Sequence, residues 1–296
     1  MQIDRLVRAI RERGNPTALG LDTRIDYIPE TFAQPYLADG GPAAAVRAFN
    51  EALLRALADI VPCVKLQAAY YELLGVEGLE CMRRTIGAAR DLGYVVIVDA
   101  KRGDIGATAT AYSGAYLAEG APFAADFLTV NPYLGGDGIK PFADDCRKTG
   151  RGIFSLVKTS NPSSGEFQDL LAQDGRPLYE HVADKVSGWG ADLVGAEGYS
   201  SVGAVVGATY PEQGAILRRR MPHTFFLVPG YGAQGARAAD LAGCFDARGG
   251  GAVVNASRSI ICAHIKKGTD DFAAAAREEA LRMKDDLAPL LRPERR

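Results

Sequence analysis

The chain has 296 residues, of which 47% are hydrophobic, and its 34 basic and 36 acidic side chains give a formal net charge of −2. This composition is typical of a globular protein with a substantial core, and the balanced charge gives no reason to expect binding to nucleic acid or to an anionic membrane. No apolar run reaches the length of about 18 residues that a transmembrane helix needs, so the sequence predicts no membrane span.

The cysteines and the N-terminal residues indicate the compartment. The five cysteines include no Cys-x-x-Cys pair and are scattered along the chain: Cys63, Cys81, Cys146, Cys244 and Cys262. An odd, scattered set is typical of reduced thiols rather than of a disulfide framework. The first eleven residues have the pattern of an amphipathic charged helix and lack the apolar stretch of a signal peptide. We therefore expect a cytoplasmic protein.

Short apolar runs alternate with longer helical patterns along the whole chain. The runs predict eight strands, at residues 17–21, 61–67, 94–100, 127–131, 152–158, 202–208, 225–228 and 252–255. The helical patterns follow the N-terminal helix at 43–60, 76–92, 107–118, 177–188, 212–221 and 270–291. Eight alternations without a linker predict an α/β fold, a single (β/α)8 TIM barrel over residues 1–296 with an N-terminal helix and a C-terminal helical extension. A doubly wound sheet is the alternative, and the number of strands argues against it.

The most informative segment is Asp99-Ala100-Lys101-Arg102-Gly103-Asp104, at the end of the third predicted strand. Side chains two apart on a strand share a face, so Asp99 and Lys101 are expected to project together. Lys65 ends the second predicted strand and can join them. Buried charges are costly unless they pair, so one interpretation is a structural ion-pair network. Active sites lie at the carboxyl ends of parallel strands, however, and this position favours a catalytic array.

Four further strand ends carry candidate binding residues. Asp22 follows the first strand, where it can hold a sugar hydroxyl. Residues 159–165 follow the fifth strand without apolar periodicity, which predicts a mobile lid that carries Ser160. The loops after strands seven and eight, where such barrels commonly bind phosphate, are the glycine-rich residues 229–235 and the segment that ends in Arg258. The histidines, His181, His223 and His264, have no mutual ligand spacing, and we predict no metal site.

Taken together, these segments resemble one known family. The Asp-x-Lys-x-x-Asp pattern at Asp99, Lys101 and Asp104 is similar to the signature of orotidine 5′-phosphate decarboxylases, the last enzymes of UMP synthesis, and of a wider superfamily of sugar-phosphate enzymes. The surrounding segments, 21–22, 64–67, 159–162, 228–235 and 255–258, narrow the resemblance to the longer bacterial (type 2) decarboxylases. The likeness runs from the first strand through the eighth.

The resemblance implies the decarboxylation of orotidine 5′-phosphate to UMP and CO2 without metal or organic cofactor. It also implies a homodimer with its active sites at the subunit interface. The implied catalytic array is Lys65, Asp99, Lys101 and Asp104, with Lys101 donating a proton to C6 of the pyrimidine. The implied substrate-binding residues are Asp22 with Lys65 for the ribose, Ser160 for the pyrimidine, Gln234 and Arg258 for the phosphate, Pro229 and Tyr231 lining the closed loop, and Ile105 and Thr108 reaching with Asp104 into the partner's site.

Three rival functions stay open on the residues. The strongest is a Mg²⁺-dependent phosphosugar decarboxylase or aldolase of the same superfamily, which resembles this chain except that an acid replaces Lys65. A class I aldolase would use Lys101 as a Schiff-base nucleophile, but flanking acids keep a lysine protonated. The third rival is a non-catalytic protein that binds nucleotides in the same pocket.

Overall fold

The computed structural model describes residues 1–232 and 237–292. Its strands form a closed barrel in the order β1 to β8, and every neighbouring pair is parallel. In the described part of the chain the strands are β1 Thr17–Leu21, β2 Cys63–Gln67, β3 Val95–Arg102, β4 Phe127–Val130, β5 Gly152–Lys158, β6 Ser200–Val206, β7 Thr224–Val228 and β8 Ala252–Ala256. The predicted TIM barrel is confirmed, and each predicted strand overlaps an observed one.

Helices pack around the barrel between successive strands. The longer ones are α1 Gln2–Arg13, α2 Glu30–Leu57, α4 Gly75–Asp91, α5 Gly106–Tyr116, α6 Gly136–Thr149, α8 Leu178–Trp189, α9 Pro211–Arg220 and α12 Phe272–Leu287. The short ones are α3 Ala68–Glu72, α7 Gly165–Gln168, α10 Arg258–Ile261 and α11 Ala263–Lys267, with 3-10 turns at Ile25–Tyr27, Pro162–Ser164, Ala238–Cys244 and Ala288–Leu291. No helix in the described part of the chain has the length and apolar character needed to cross a membrane.

Two of the longer helices differ from the sequence prediction, which also did not include the short helices α3, α7, α10 and α11. The helix expected at 43–60 begins at Glu30 and bends at Gly40 and Gly41, whose backbones leave the helical conformation. Helix α6 was not predicted, because Gly136 and Pro141 interrupt its pattern. Its buried face includes Ile139 and Phe142, so tertiary packing outweighs the weak local propensity.

The N-terminal helix closes one end of the barrel. Ile3, Leu6 and Ile10 of α1 are buried in one cluster with barrel-lining residues near the strand starts, including Cys63 and Val95. Because this end is filled with apolar side chains, the opposite end, where the strands finish, is left for a polar site. That residues 1–296 form a single domain remains a prediction.

Candidate active site

The charged residues predicted at the ends of β2 and β3 lie side by side. The register pairs Lys65 with Ile97 and Gln67 with Asp99 on these neighbouring strands. Ile97 belongs to the cluster that lines the barrel. Since alternate residues of a strand share a face, Lys65 and Asp99 both point into the mouth of the barrel.

One carboxylate lies between two ammonium groups. Asp99 Oδ2 is 3.2 Å from Lys65 Nζ, and Asp99 Oδ1 accepts a hydrogen bond of 2.6 Å from Lys101 Nζ. Lys65 Nζ also lies 3.4 Å from Asp22 Oδ1 and donates to Gln67 Oε1 over 3.2 Å. The Lys65 side chain is only 5% exposed, whereas that of Lys101 is 45% exposed. Lys101 is therefore the cation that a bound molecule reaches.

The pKa values follow from this arrangement. Burial alone raises the pKa of Asp99, but the charges of Lys65 and Lys101 and the hydrogen bonds to the carboxylate outweigh burial and lower the pKa to about 2. Burial likewise lowers the pKa of Lys65, and the charges of Asp22 and Asp99 outweigh it, so this pKa is raised. Asp99 and Lys65 are therefore both charged at neutral pH.

The backbone at Lys101 has an unusual conformation. Lys101 has φ 49°, and it is the one non-glycine residue with positive φ among residues 1–232 and 237–292. The pairing between β3 and β4 shifts register between Val98 and Arg102, so Lys101 lies in an irregularity of the strand. Such irregularities redirect side chains, and the strain of a left-handed lysine is typical of functional sites.

Asp104, the fourth residue of the predicted array, follows β3 and is half-buried. The Asp104 carboxylate accepts a 2.8 Å hydrogen bond from the Ile105 backbone N–H. Within the residues described, Asp104 forms no ion pair with Lys65 or Lys101. Ile105 and Thr108 are exposed. The single chain thus brings Asp22, Lys65, Asp99 and Lys101 together but not Asp104, Ile105 or Thr108.

The two predicted phosphate loops are neighbours because β7 and β8 are paired. A Cβ added at Gly232 would lie 3.9 Å from Ser259 Oγ, so the β7 loop meets the start of α10. Arg258 is exposed and, with Ser259 and Lys266, lines a cleft of about 400 Å³. Gln234 lies outside the described residues.

Tyr231 and Pro229 belong to the base of the β7 loop. The Tyr231 ring is buried, and its hydroxyl donates a hydrogen bond to Asp286 on α12. Burial, followed by this bond, raises the pKa of Tyr231 to about 12. The Pro229 carbonyl accepts the backbone N–H of Ala208 over 2.9 Å. Tyr231 thus links the loop to the C-terminal helix.

Comparison with known proteins places the chain in a family. The sequence model of the orotidine 5′-phosphate decarboxylase / HUMPS family matches residues 43–269. The chain belongs to this family. It is 46% identical to an orotidine 5′-phosphate decarboxylase of Rhodopirellula baltica over 91% of this chain and 90% of that protein. It is 41% identical to the enzyme of Clostridium tetani over 97% of this chain and 98% of that one.

Solved structures agree with this membership. The structure of an OMP decarboxylase from Leishmania donovani superposes with a TM-score of 0.74 at 32% identity. The likeness covers 96% of this chain and 98% of that one. The resemblance drawn from the strand-end residues is confirmed by both the sequence and the structure comparisons.

Sequence reasoning missed two residues at this member's barrel mouth. Thr129 on β4 donates a hydrogen bond to Asp99 Oδ1 and accepts one from the backbone N–H of Lys101. Lys158 ends β5 as a fully buried cation beneath the predicted lid. A lone threonine within a strand gives no signal in the sequence. Lys158 does give a signal in the sequence, because a lysine at the end of a buried strand marks a charge at the mouth of the barrel.

No group of three or more histidine, cysteine, aspartate or glutamate side chains in the described ranges is arranged to hold a metal ion. The position between Asp22 and Asp99 is instead occupied by the Lys65 ammonium group. The positive charge that these two carboxylates require therefore comes from the protein itself.

Proposed function

We propose that this protein converts orotidine 5′-phosphate to UMP and CO2 through Lys65, Asp99, Lys101 and Asp104, without a metal or organic cofactor. The observation that carries the mechanism is the Asp99 carboxylate held between two ammonium groups, one buried and one accessible. Membership of the decarboxylase family supports the reaction. The charges of the array supply the electrostatic stabilisation.

The difficult step is the loss of CO2 from C6 of the pyrimidine. The C6–carboxylate bond breaks and its electron pair stays on C6, in an sp² orbital that the ring's π system cannot delocalise. The Lys101 ammonium group stabilises this charge and then transfers a proton to C6, which yields UMP. Because the Lys101 side chain is 45% exposed, solvent can return the proton after product leaves.

Asp99 acts on the substrate carboxylate. With a pKa of about 2, Asp99 is ionised and repels a second carboxylate placed beside Lys101. Departure of neutral CO2 relieves this repulsion, so the interaction favours the transition state over the bound substrate. Lys65 keeps Asp99 charged and fixed in place.

The remaining contacts hold the ribose, the base and the phosphate. We assign Asp22 and Lys65 to the ribose hydroxyls and Ser160 to the pyrimidine. Arg258 and Gln234 bind the phosphate, beside Pro229 and Tyr231. The adjacency of the β7 and β8 loops and the exposure of Arg258 support the phosphate assignment.

A homodimer would complete the site with Asp104, Ile105 and Thr108 of the partner. The surface around Asp104 supports this proposal: Ile105 is 54% exposed, and Tyr133 and Leu134 in the next loop are also exposed. A Cβ added at Gly138, in the first turn of α6, would lie 3.1 Å from the Asp104 carbonyl oxygen and 3.3 Å from Leu134 Cβ, so Asp104 and Leu134 both lie beside this turn. Exposed large apolar side chains that are close together are typical of a subunit interface.

The cysteines support a cytoplasmic location. All five thiols are unpaired, and four of them are buried. Unpaired buried thiols are typical of proteins kept in a reducing compartment.

The test of this function follows the ultraviolet absorbance of orotidine 5′-phosphate with the purified protein in EDTA. Conversion to UMP, unchanged when Mg²⁺ replaces EDTA, is the expected result. No conversion in either buffer, together with Mg²⁺-dependent turnover of a phosphosugar, would identify the rival function of the same superfamily instead.

A further inference from the structure

Lys158, the last residue of β5, carries a charge that the proposed chemistry does not use. Its side chain is fully buried, and Nζ donates to Asp169 Oδ1 over 2.8 Å and to Ser164 Oγ over 3.2 Å. The ammonium also lies 4.8 Å from the centroid of the Tyr210 ring, a cation–π distance. Every direction around the charge is thus covered by protein.

Both polar partners of Lys158 belong to the segment that follows it. Ser164 ends the 3-10 turn, and Asp169 follows α7 directly. A buried cation is costly without its partners, so opening of this segment would expose or strand the charge. The ion pair therefore favours the folded state of residues 159–169, which we call the β5 loop.

A second contact closes the β5 loop next to the first. Gln168 accepts the backbone N–H of Thr159 over 2.9 Å and donates to the Thr159 hydroxyl over 2.8 Å. Asp169 and Gln168 therefore bind the consecutive residues Lys158 and Thr159. The loop leaves the strand and is tied back to it at the same point.

Ser160 comes immediately after these two anchored residues. A Cβ added at Gly207, the residue directly after β6, would lie 2.9 Å from the N, Cα and Cβ atoms of Ser160, so the end of β6 supports Ser160 closely from one side. The Thr209 hydroxyl also donates to the Ser160 carbonyl oxygen over 3.3 Å. With β6 on one side and the anchored loop on the other, the position of Ser160 depends on the loop being folded.

We propose that Lys158 is a positioning residue that holds the β5 loop folded and thereby presents Ser160 to the pyrimidine. This inference rests on the proposed function, in which Ser160 contacts the base. Because Lys158 is buried, it acts through Ser160 and does not itself touch the substrate. The phosphate residues lie on the separate β7 and β8 loops, so Lys158 should affect recognition of the base and not of the phosphate.

The test measures binding of UMP and of ribose 5-phosphate by calorimetry. Lys158→Met and Ser160→Ala are each expected to weaken UMP binding about tenfold, as the loss of one buried polar interaction does. Ribose 5-phosphate lacks the base, so both variants should bind it with the affinity of the wild type. The matched control is Lys185→Met, which removes an exposed lysine on α8 and should change neither affinity.

The double variant separates positioning from general damage. If Lys158 acts through Ser160, Lys158→Met combined with Ser160→Ala binds UMP no more weakly than Ser160→Ala alone. The inference would be overturned if the two substitutions weakened UMP binding independently, so that their fold-changes multiply in the double variant. It would also be overturned if Lys158→Met bound UMP as tightly as Lys185→Met does. Wild-type protein that neither binds UMP nor converts orotidine 5′-phosphate would instead overturn the proposed function.

Asp169→Asn tests the same ion pair in a variant expected to fold. The Asp169 side chain is 40% exposed and Lys158 stays in place, so the substitution removes one charge from the edge of the cluster. We expect weaker UMP binding and faster amide hydrogen exchange within residues 159–169, with ribose 5-phosphate unaffected. Wild-type UMP affinity together with wild-type exchange would contradict the proposal, even where Lys158→Met fails to fold.

Discussion

The Thr129 hydroxyl donates a 2.8 Å hydrogen bond to Oδ1 of Asp99, the same oxygen that accepts from the Lys101 ammonium. The hydroxyl oxygen in turn accepts the backbone N–H of Lys101 over 2.9 Å. One buried side chain thus fixes both the carboxylate and the backbone of the residue that we assign as proton donor. Thr129 therefore helps to hold the charged array in place.

Thr129→Val should therefore lower kcat about tenfold, with a smaller change in KM. Valine has the same shape but leaves the Lys101 N–H without its acceptor and Asp99 with one donor fewer. Steady-state kinetics measure the effect. The control is Thr85→Val on α4, whose hydroxyl donates to the Cys81 carbonyl of its own helix, away from the array. An equal loss of kcat in the two variants would show that any buried threonine-to-valine change has this effect, and would contradict a specific role for Thr129.

The left-handed backbone of Lys101 makes a prediction about stability. Glycine adopts positive φ without strain, so Lys101→Gly should be more stable to unfolding than Lys101→Ala by about 1 kcal/mol. Chemical denaturation measures the difference. At Ala100, the neighbouring strand residue without positive φ, substitution by glycine should instead destabilise the protein. Lower stability of Lys101→Gly than of Lys101→Ala would contradict the assigned conformation.

Acid stability reports the ionisation of Asp99. The pKa of Asp99 falls from the ordinary 3.8 to about 2 on folding. The contribution of Asp99 to the free energy of unfolding is therefore complete above pH 3.8 and is lost as the pH falls through about 2. The contribution amounts to about 2 kcal/mol. Denaturation curves between about pH 5 and pH 2.5 should show a shallower loss of stability for Asp99→Asn than for the wild type. The same slope in both proteins would refute this account.

The site residues after β3 predict complementation between subunits. Asp104→Asn and Lys101→Ala proteins should each have little activity alone. When they are mixed under conditions that exchange subunits, some sites combine an intact Lys101 with an intact Asp104 from the partner, so part of the activity returns. Mixing two preparations of Lys101→Ala is the control and should restore nothing. A lack of recovery, with exchange verified by mass, argues against shared sites.

The sequence predicted the barrel because its signal is strong and repeated. Each strand is a short, buried apolar run. Asp22, Lys65, Asp99 and Lys101 lie near the carboxyl ends of three of these strands, so the strand pattern alone located the charged array. The parallel register then brings the side chains together without further information.

Other features depend on tertiary contacts that the local pattern does not contain. Helix α6 forms despite Pro141 because its apolar face is buried. The positive φ of Lys101 belongs to an irregularity between paired strands, and lysine has no local preference for it. The role of Thr129 requires the neighbouring strand to be in place. Single-sequence reasoning finds charges at strand ends more readily than the uncharged groups that hold them.

The most direct test of the mechanism compares decarboxylation with product binding in Lys101→Ala. We expect wild-type protein to convert orotidine 5′-phosphate to UMP in EDTA, and the variant to be slower by at least about a thousandfold, since it lacks both the cation and the proton donor. UMP should still bind, because its ribose and phosphate contacts remain. A folded Lys101→Ala protein that decarboxylates within about tenfold of the wild-type rate would contradict the assignment of Lys101.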